Sequence, residues 1–200
     1  MGIYYFDIAA LAIHLLNLLL FIYKRHLFSI QTRLFLTLLL ISMSAAFTDV
    51  LGVMLFINQE DPPLNLIFGI NTLFYMLQNS IPLVFLFFIL AVSGRFFRFS
   101  KKTLYLLGFP WLLSMLLIIS NIFTGLVFYF DEHAEYARGH GLDALYAIAF
   151  FYALFGVLYL IHDRKRLAAN TLTSMLLFVP VTVIPAFIQF FLPELLIQNL

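Results

Sequence analysis

The chain has no cysteine, a single tryptophan, and charge on only 10% of its 200 residues. Without cysteine there is no disulfide, no thiolate ligand for a metal and no thiol nucleophile. The shortage of charge excludes more, because soluble domains carry about 25% charged residues and need them to coat their surface. Gly-rich phosphate loops, His-Glu-x-x-His and EF-hand patterns, nucleophile elbows and paired catalytic carboxylates are missing as well. No catalytic residue, metal or cofactor is therefore assigned, and this chain is not expected to be an enzyme. No basic tract is long enough, or interleaved enough with aromatics, to suggest nucleic acid. What fills the sequence is hydrocarbon: 64% of residues are hydrophobic and the mean hydropathy is +1.03. The expected solvent is the lipid bilayer.

Six stretches reach the roughly 20 apolar residues that span a bilayer. They run Ile3 to Tyr23, Leu34 to Ile57, Leu66 to Ser93, Thr103 to Phe123, Ala144 to Ile161 and Thr171 to Leu192. Backbone groups facing lipid must be satisfied within their own segment, and nothing alternates with a strand's period of two, so each is predicted to be a helix. Breaks fall between them at Asp61-Pro62-Pro63, at Gly139-His140-Gly141 and at Asn170. The first stretch has no base before it and Lys24-Arg25 directly after it, which is not the layout of a cleavable signal peptide.

Basic residues are segregated along the chain. Ten of the eleven fall into alternate gaps: Lys24, Arg25 and Arg33, then Arg95, Arg98, Lys101 and Lys102, then Arg164, Lys165 and Arg166. The other gaps hold acids, Glu60 and Asp61 in one and Asp131, Glu132, Glu135 and Asp143 in the other, with Arg138 the lone base among them. Lys and Arg are retained on the cytoplasmic side during insertion, so the basic gaps are assigned inside and the N-terminus outside. The fold class expected is an all-α integral membrane protein with six transmembrane helices in a bacterial inner membrane. Six crossings return the chain to the outside, which fits a seven-helix bundle cut before its seventh helix.

Polar side chains inside a span are costly and tend to face the bundle interior. In the first helix Asp7, His14 and Asn17 share one face. The second carries Thr48 and Asp49, the third Asn71, Gln78 and Asn79, and the fourth ends with Asn121. Asp7, Asp49, Asn71 and Asn121 fall in the outer half by depth; with His14, Gln78 and Asn79 they are candidates for a ligand pocket opening outward, or for a protonation switch centred on Asp49 and His14, while interhelical hydrogen bonding without a ligand explains the same residues. Pro82, Pro110, Pro180 and Pro185 each remove a backbone hydrogen bond and are candidate kinks. In the outer gap Asp131, Glu132, His133, Glu135, His140 and Asp143 match no closed metal motif and read as a solvated acidic loop. Arg138 is expected to pair with Asp131 or Glu135 and hold that loop as a lid over Tyr136, while Phe128-Tyr129-Phe130 reads as an interfacial aromatic belt.

Asn121-Ile-Phe-Thr-Gly125, Phe128-Tyr-Phe-Asp131, Tyr136-Ala-Arg-Gly139 and the basic turn Asp163-Arg-Lys-Arg166, with Lys24-Arg25-His26 and Gln31-Thr-Arg-Leu-Phe35 earlier, give the chain a family likeness. It resembles the N-terminal multi-helix membrane sensor region of Firmicute-type diguanylate cyclases, which is related to regions preceding histidine kinases. The resemblance implies a signal-input module that passes an external or membrane cue to a cytoplasmic GGDEF domain, working as a homodimer. Where such proteins show Asn-Pro and Arg-Gly-Pro, this chain has Asn121-Ile122 and Arg138-Gly139-His140, and it contains no GGDEF signature. The rival expectations are a small transporter or channel-like protein and a partner-binding membrane subunit.

Overall fold

The computed structural model describes residues 4–23, 29–57, 63–94, 96–131, 136–165, 167, 172–173 and 175–176. Helices dominate: α1 (Tyr4–Tyr23), α2 (Ile30–Ile57), α3 (Leu64–Val92), α4 (Lys101–Thr124) and α5 (Gly141–His162), with a short 3₁₀ turn at Phe96–Arg98. α2, α3, α4 and α5 are long and apolar enough to cross a membrane, and α1 is a shorter apolar helix. The expected sixth span, 171–192, lies outside the described residues except for Leu172, Thr173, Met175 and Leu176. Pro180 and Pro185 lie outside them too.

Local chemistry sets where the helices begin and end. Ser29 precedes α2 and its Oγ accepts the Thr32 amide at 3.1 Å, so the polar turn Gln31-Thr32-Arg33 is already helical. Ser100 caps α4 in the same way through the Thr103 amide at 3.2 Å, which draws Lys101 and Lys102 into the first turn. Pro63 stands before α3 and its carbonyl accepts from Leu66 and Ile67. α4 stops at Gly125, whose φ of 61° is the left-handed cap geometry that glycine adopts without a Cβ penalty.

Helices consecutive in the chain run antiparallel, α3 and α5 lie parallel, and the basic ends fall together. Gln31 Nε2 at the start of α2 donates to the Ala91 carbonyl near the end of α3 at 3.1 Å. Ser93 Oγ, just past α3, donates to the Tyr159 hydroxyl near the end of α5, and Phe99 packs on the Tyr159 ring. Arg33, Arg98, Lys101, Lys102, Arg164 and Lys165 therefore share one end of the bundle, as the alternation of basic gaps predicted. α3 is the central helix, with Leu86, Ile89 and Leu90 fully buried. Gly156 of α5 lets that helix approach α3, since a Cβ there would stand 3.1 Å from Ile89 Cδ1. Leu172, Met175 and Leu176 join the cluster around Ile89 and Leu160.

The opposite end corrects an expectation. The gap after α4 is a β-hairpin, β1 (Phe128–Phe130) paired antiparallel with β2 (Tyr136–Arg138), in the register Phe128↔Arg138, Tyr129↔Ala137 and Phe130↔Tyr136. The described residues are thus nearly all helical, not wholly so; of the residues read as a solvated acidic loop, Asp131, His140 and Asp143 are exposed, and Glu132, His133 and Glu135 lie outside the described residues. Phe128, assigned to an interfacial belt, is fully buried, while Tyr129 on the other face of the strand is exposed. Alternation along a strand decides this, because successive side chains point to opposite faces. Two further bonds, Gly139 N–H to the Val127 carbonyl and Gly141 N–H to the Leu126 carbonyl, extend the pairing to the foot of α5.

Candidate functional site

Asn121 in the last turn of α4 organises the hairpin. Its Oδ1 accepts the Val127 and Phe128 amides at 2.6 and 3.3 Å, and its Nδ2 donates to the Phe128 carbonyl at 3.0 Å. The side chain is 1% exposed. These bonds satisfy backbone groups that the turn out of α4 would otherwise bury without partners. Asn121, a candidate pocket residue by depth, thus spends its side-chain amide on the hairpin backbone.

Held this way, Phe128 enters an aromatic cluster. Phe68 and Tyr75 of α3 lie against it with centroids at 4.8 and 5.4 Å, and Tyr136 of β2 lies nearly parallel at 5.9 Å. The hydroxyls of Tyr75 and Tyr136 are hydrogen-bonded to each other. Met115 and Ile118 of α4 and Leu142 and Leu145 of α5 complete the cluster. One short hairpin therefore touches α3, α4 and α5.

Charge surrounds that contact. Burial pushes the Tyr136 phenol up from its ordinary range; the hydrogen bond from Tyr75 and the Arg138 guanidinium oppose the shift, while the Tyr146 phenol and the Asp49 carboxylate reinforce it. Asp49 on α2, Tyr75 on α3, Tyr136 and Arg138 on β2 and Tyr146 on α5 are consequently within electrostatic reach of one point at the hairpin end of the bundle. Of the partners expected for Arg138, Asp131 is exposed just beyond β1 and Glu135 lies outside the described residues. Arg138 is half-buried at the foot of the hairpin, opposite Phe128.

The other sequence candidates scatter. Asn71 is half-buried between α2 and α3, its Oδ1 against Gly52, where a Cβ would stand 3.3 Å away. Buried Asn79 donates to its own helix at the Tyr75 carbonyl, 3.1 Å. Gln78, one residue earlier, is exposed and takes no part in the cluster. His14 is half-buried on α1, far along the chain from the hairpin contacts, and nothing is described of the Asp7 side chain. Thr48 is buried and bonds back to the Ser44 and Ala45 carbonyls. No group of three metal-ligating side chains occurs among the described residues.

Residues not singled out from sequence carry the interhelical bonds. Trp111 Nε1 of α4 donates to Ser80 Oγ of α3 at 3.0 Å, and Ser80 donates in turn to the Met76 carbonyl. The Tyr152 hydroxyl of α5 accepts the Trp111 amide at 3.0 Å and donates to the Leu107 carbonyl at 2.7 Å. A usable signal existed: the lone tryptophan and Tyr152 sit well inside spans, away from the interfaces where such rings gather. No family model matches the chain, and no curated protein or solved structure shows significant similarity to it.

Proposed function

We propose that this chain is a membrane-embedded signal-input module whose receiving element is the outer β-hairpin. The observation that supports this reading is the convergence at Tyr136. A strand outside the membrane meets Tyr75 of α3 through a hydroxyl pair and shares an electrostatic neighbourhood with Asp49 of α2 and Tyr146 of α5. A cue that engages or displaces the hairpin acts on several helices at once, and differential binding to docked and lifted hairpins is all that a two-state input requires. Pro82 lies about two turns beyond Tyr75 within α3 and offers a place for the helix to bend. The output is a cytoplasmic domain at the basic end of the bundle, of the diguanylate cyclase type that the sequence resemblance implies, and the host membrane is a bacterial inner membrane.

The test uses purified protein in lipid nanodiscs, screened by thermal shift against small metabolites, since a ligand of the native state raises apparent stability. Spin-label pairs then report both ends: cysteines at Leu66 and Tyr129 across the outer end, and at Lys102 and Arg164 across the basic end. The native chain contributes no cysteine to interfere. An input module changes both distances when ligand binds. Motion confined to the outer pair goes against the proposal, and solute flux through protein-loaded vesicles would establish the transporter reading instead. Asp49→Asn separates a charged receptor from a packing contact: it preserves shape and hydrogen bonding, and a ligand response that survives it removes the charge from the mechanism.

A further inference from the structure

We infer that the basic end of the bundle carries a binding groove for one anionic glycerophospholipid, with an acyl chain lying between α1, α2 and α3. This inference stands independently of the signal-input reading. The groove has a volume of about 410 Å³ and is lined by Asn17, Leu20 and Phe21 of α1, Gln31, Thr32 and Phe35 of α2, and Phe88 and Val92 of α3. Its wall is a row of three rings, one from each helix: Phe21 to Phe35 at 5.7 Å and Phe35 to Phe88 at 6.1 Å. Such a wall suits a hydrocarbon chain and offers nothing to a hydrated solute.

The polar groups lie where a lipid's own polar groups would fall. Gln31 and Thr32 sit in the first turn of α2, and Gln31 spans to the α3 backbone at Ala91, so the groove closes there between two helix ends. Asn17 lies six residues before the end of α1, about 9 Å deeper at 1.5 Å per residue. An exposed amide at that depth matches the ester carbonyls of a glycerolipid better than its phosphate. The phosphate level is basic: Arg33 follows Thr32 in the same turn and is exposed, and Arg98, Lys101 and Lys102 stand exposed on the same end of the bundle. Among the described residues no base lines the groove itself, but Arg33 stands beside Thr32 at its mouth, and bases at the ends of transmembrane helices attract anionic headgroups. Charge complementarity therefore selects an anionic lipid over a zwitterionic one, while the phenylalanine wall accepts either acyl chain.

The experiment places the whole chain in nanodiscs containing, at equal mole fraction, photoactivatable phosphatidylglycerol or photoactivatable phosphatidylcholine, each with its reactive group on an acyl chain. Adducts are mapped by mass spectrometry. Expected is an excess of the phosphatidylglycerol probe of about fivefold at Leu20, Phe35 and Val92, the size of effect one base near a headgroup provides. The lipid-facing Leu112 and Leu116 of α4, both exposed, should take the two probes equally. Leu20→Trp, which fills the groove, should abolish the excess and leave the α4 adducts unchanged, and Arg33→Gln should reduce it. Equal labelling of the groove by both probes would mean ordinary annular lipid and overturn the inference. So would an absence of adducts at the lining residues, as when another part of the chain fills the groove, or a preference untouched by Arg33→Gln.

Discussion

The Tyr152 hydroxyl stands between the Trp111 amide and the Leu107 carbonyl, the two groups that a regular α-helix joins directly. Pro110, adjacent to Trp111, has no amide of its own to continue the ladder. A side chain of α5 is thus keyed into the backbone of α4 at its weakened turn, and the Trp111 ring carries the connection on to Ser80 of α3.

Removing that hydroxyl tests the arrangement. Tyr152→Phe should lower unfolding stability in detergent by about 0.6 to 1.7 kcal/mol, the range for interhelical hydrogen bonds in membranes. The loss should stay small because Trp111 and Leu107 can rejoin each other, and label distances across α4 should then show a straighter helix. Unchanged stability together with an unchanged bend would mean that the bridge carries no energy.

The hairpin depends on one amide. Asn121→Ala leaves the Val127 and Phe128 amides and the Phe128 carbonyl to find new partners, at a cost of about 1–3 kcal/mol for each buried group left unsatisfied. Hydrogen exchange at residues 127–138 should accelerate strongly while α2 and α3 keep their protection. Uniform acceleration across the bundle would show that the hairpin does not open as a separate unit.

Glycines at the foot of the hairpin should differ sharply from one in a helix. A Cβ at Gly139 would lie 2.0 Å from the Leu126 carbonyl oxygen, so Gly139→Ala forces two backbone segments apart and should cost about 3 kcal/mol or more. At Gly69 a Cβ meets nothing within 4 Å, and Gly69→Ala should be neutral or stabilising by up to about 1 kcal/mol. Thermal melts of the two variants side by side decide the matter; equal effects would contradict the close approach.

Alkaline pH should release the hairpin. The folded-state pKa of Tyr136 is raised, chiefly by burial, above the ordinary value of about 10. The folded state therefore holds its proton longer than the unfolded state does. Stability from this group is complete below pH about 10 and is lost as pH rises through the folded-state value. Tyrosinate absorbance followed with hairpin proteolysis should show the two rising together in the native protein. Tyr136→Phe should remove the linked step, and proteolysis with the same pH dependence in that variant would place the transition elsewhere.

Which end faces the cytoplasm can be read with single cysteines. Asp131→Cys should react with an impermeant maleimide in intact cells, and Lys102→Cys only after permeabilisation, as the segregation of bases requires. The reverse pattern would invert the topology, and with it the side from which any cue acts.

Hydrophobicity is a local, additive property of the chain, and it fixed the helices with little help from their surroundings. α1, α3, α4 and α5 start and stop within about three residues of the apolar runs, by the ordinary uncertainty of such boundaries. α2 begins four residues before Leu34, because hydropathy marks the hydrocarbon slab whereas the Ser29 cap marks the hydrogen-bonded helix. The alternation of basic gaps likewise placed the basic helix ends together, and Gly139-His140-Gly141 announced a break. The destination of each polar side chain was decided only by packing. Helices that are apolar all round carry no stripe to say which face is inward, so neighbouring Gln78 and Asn79 look alike in sequence, yet one is exposed and the other buried. The hairpin was hidden for a related reason: strands of three residues are too short for their alternation to show. They persist because Asn121 from a preceding helix supplies their missing hydrogen bonds and α3 supplies the surface that buries Phe128.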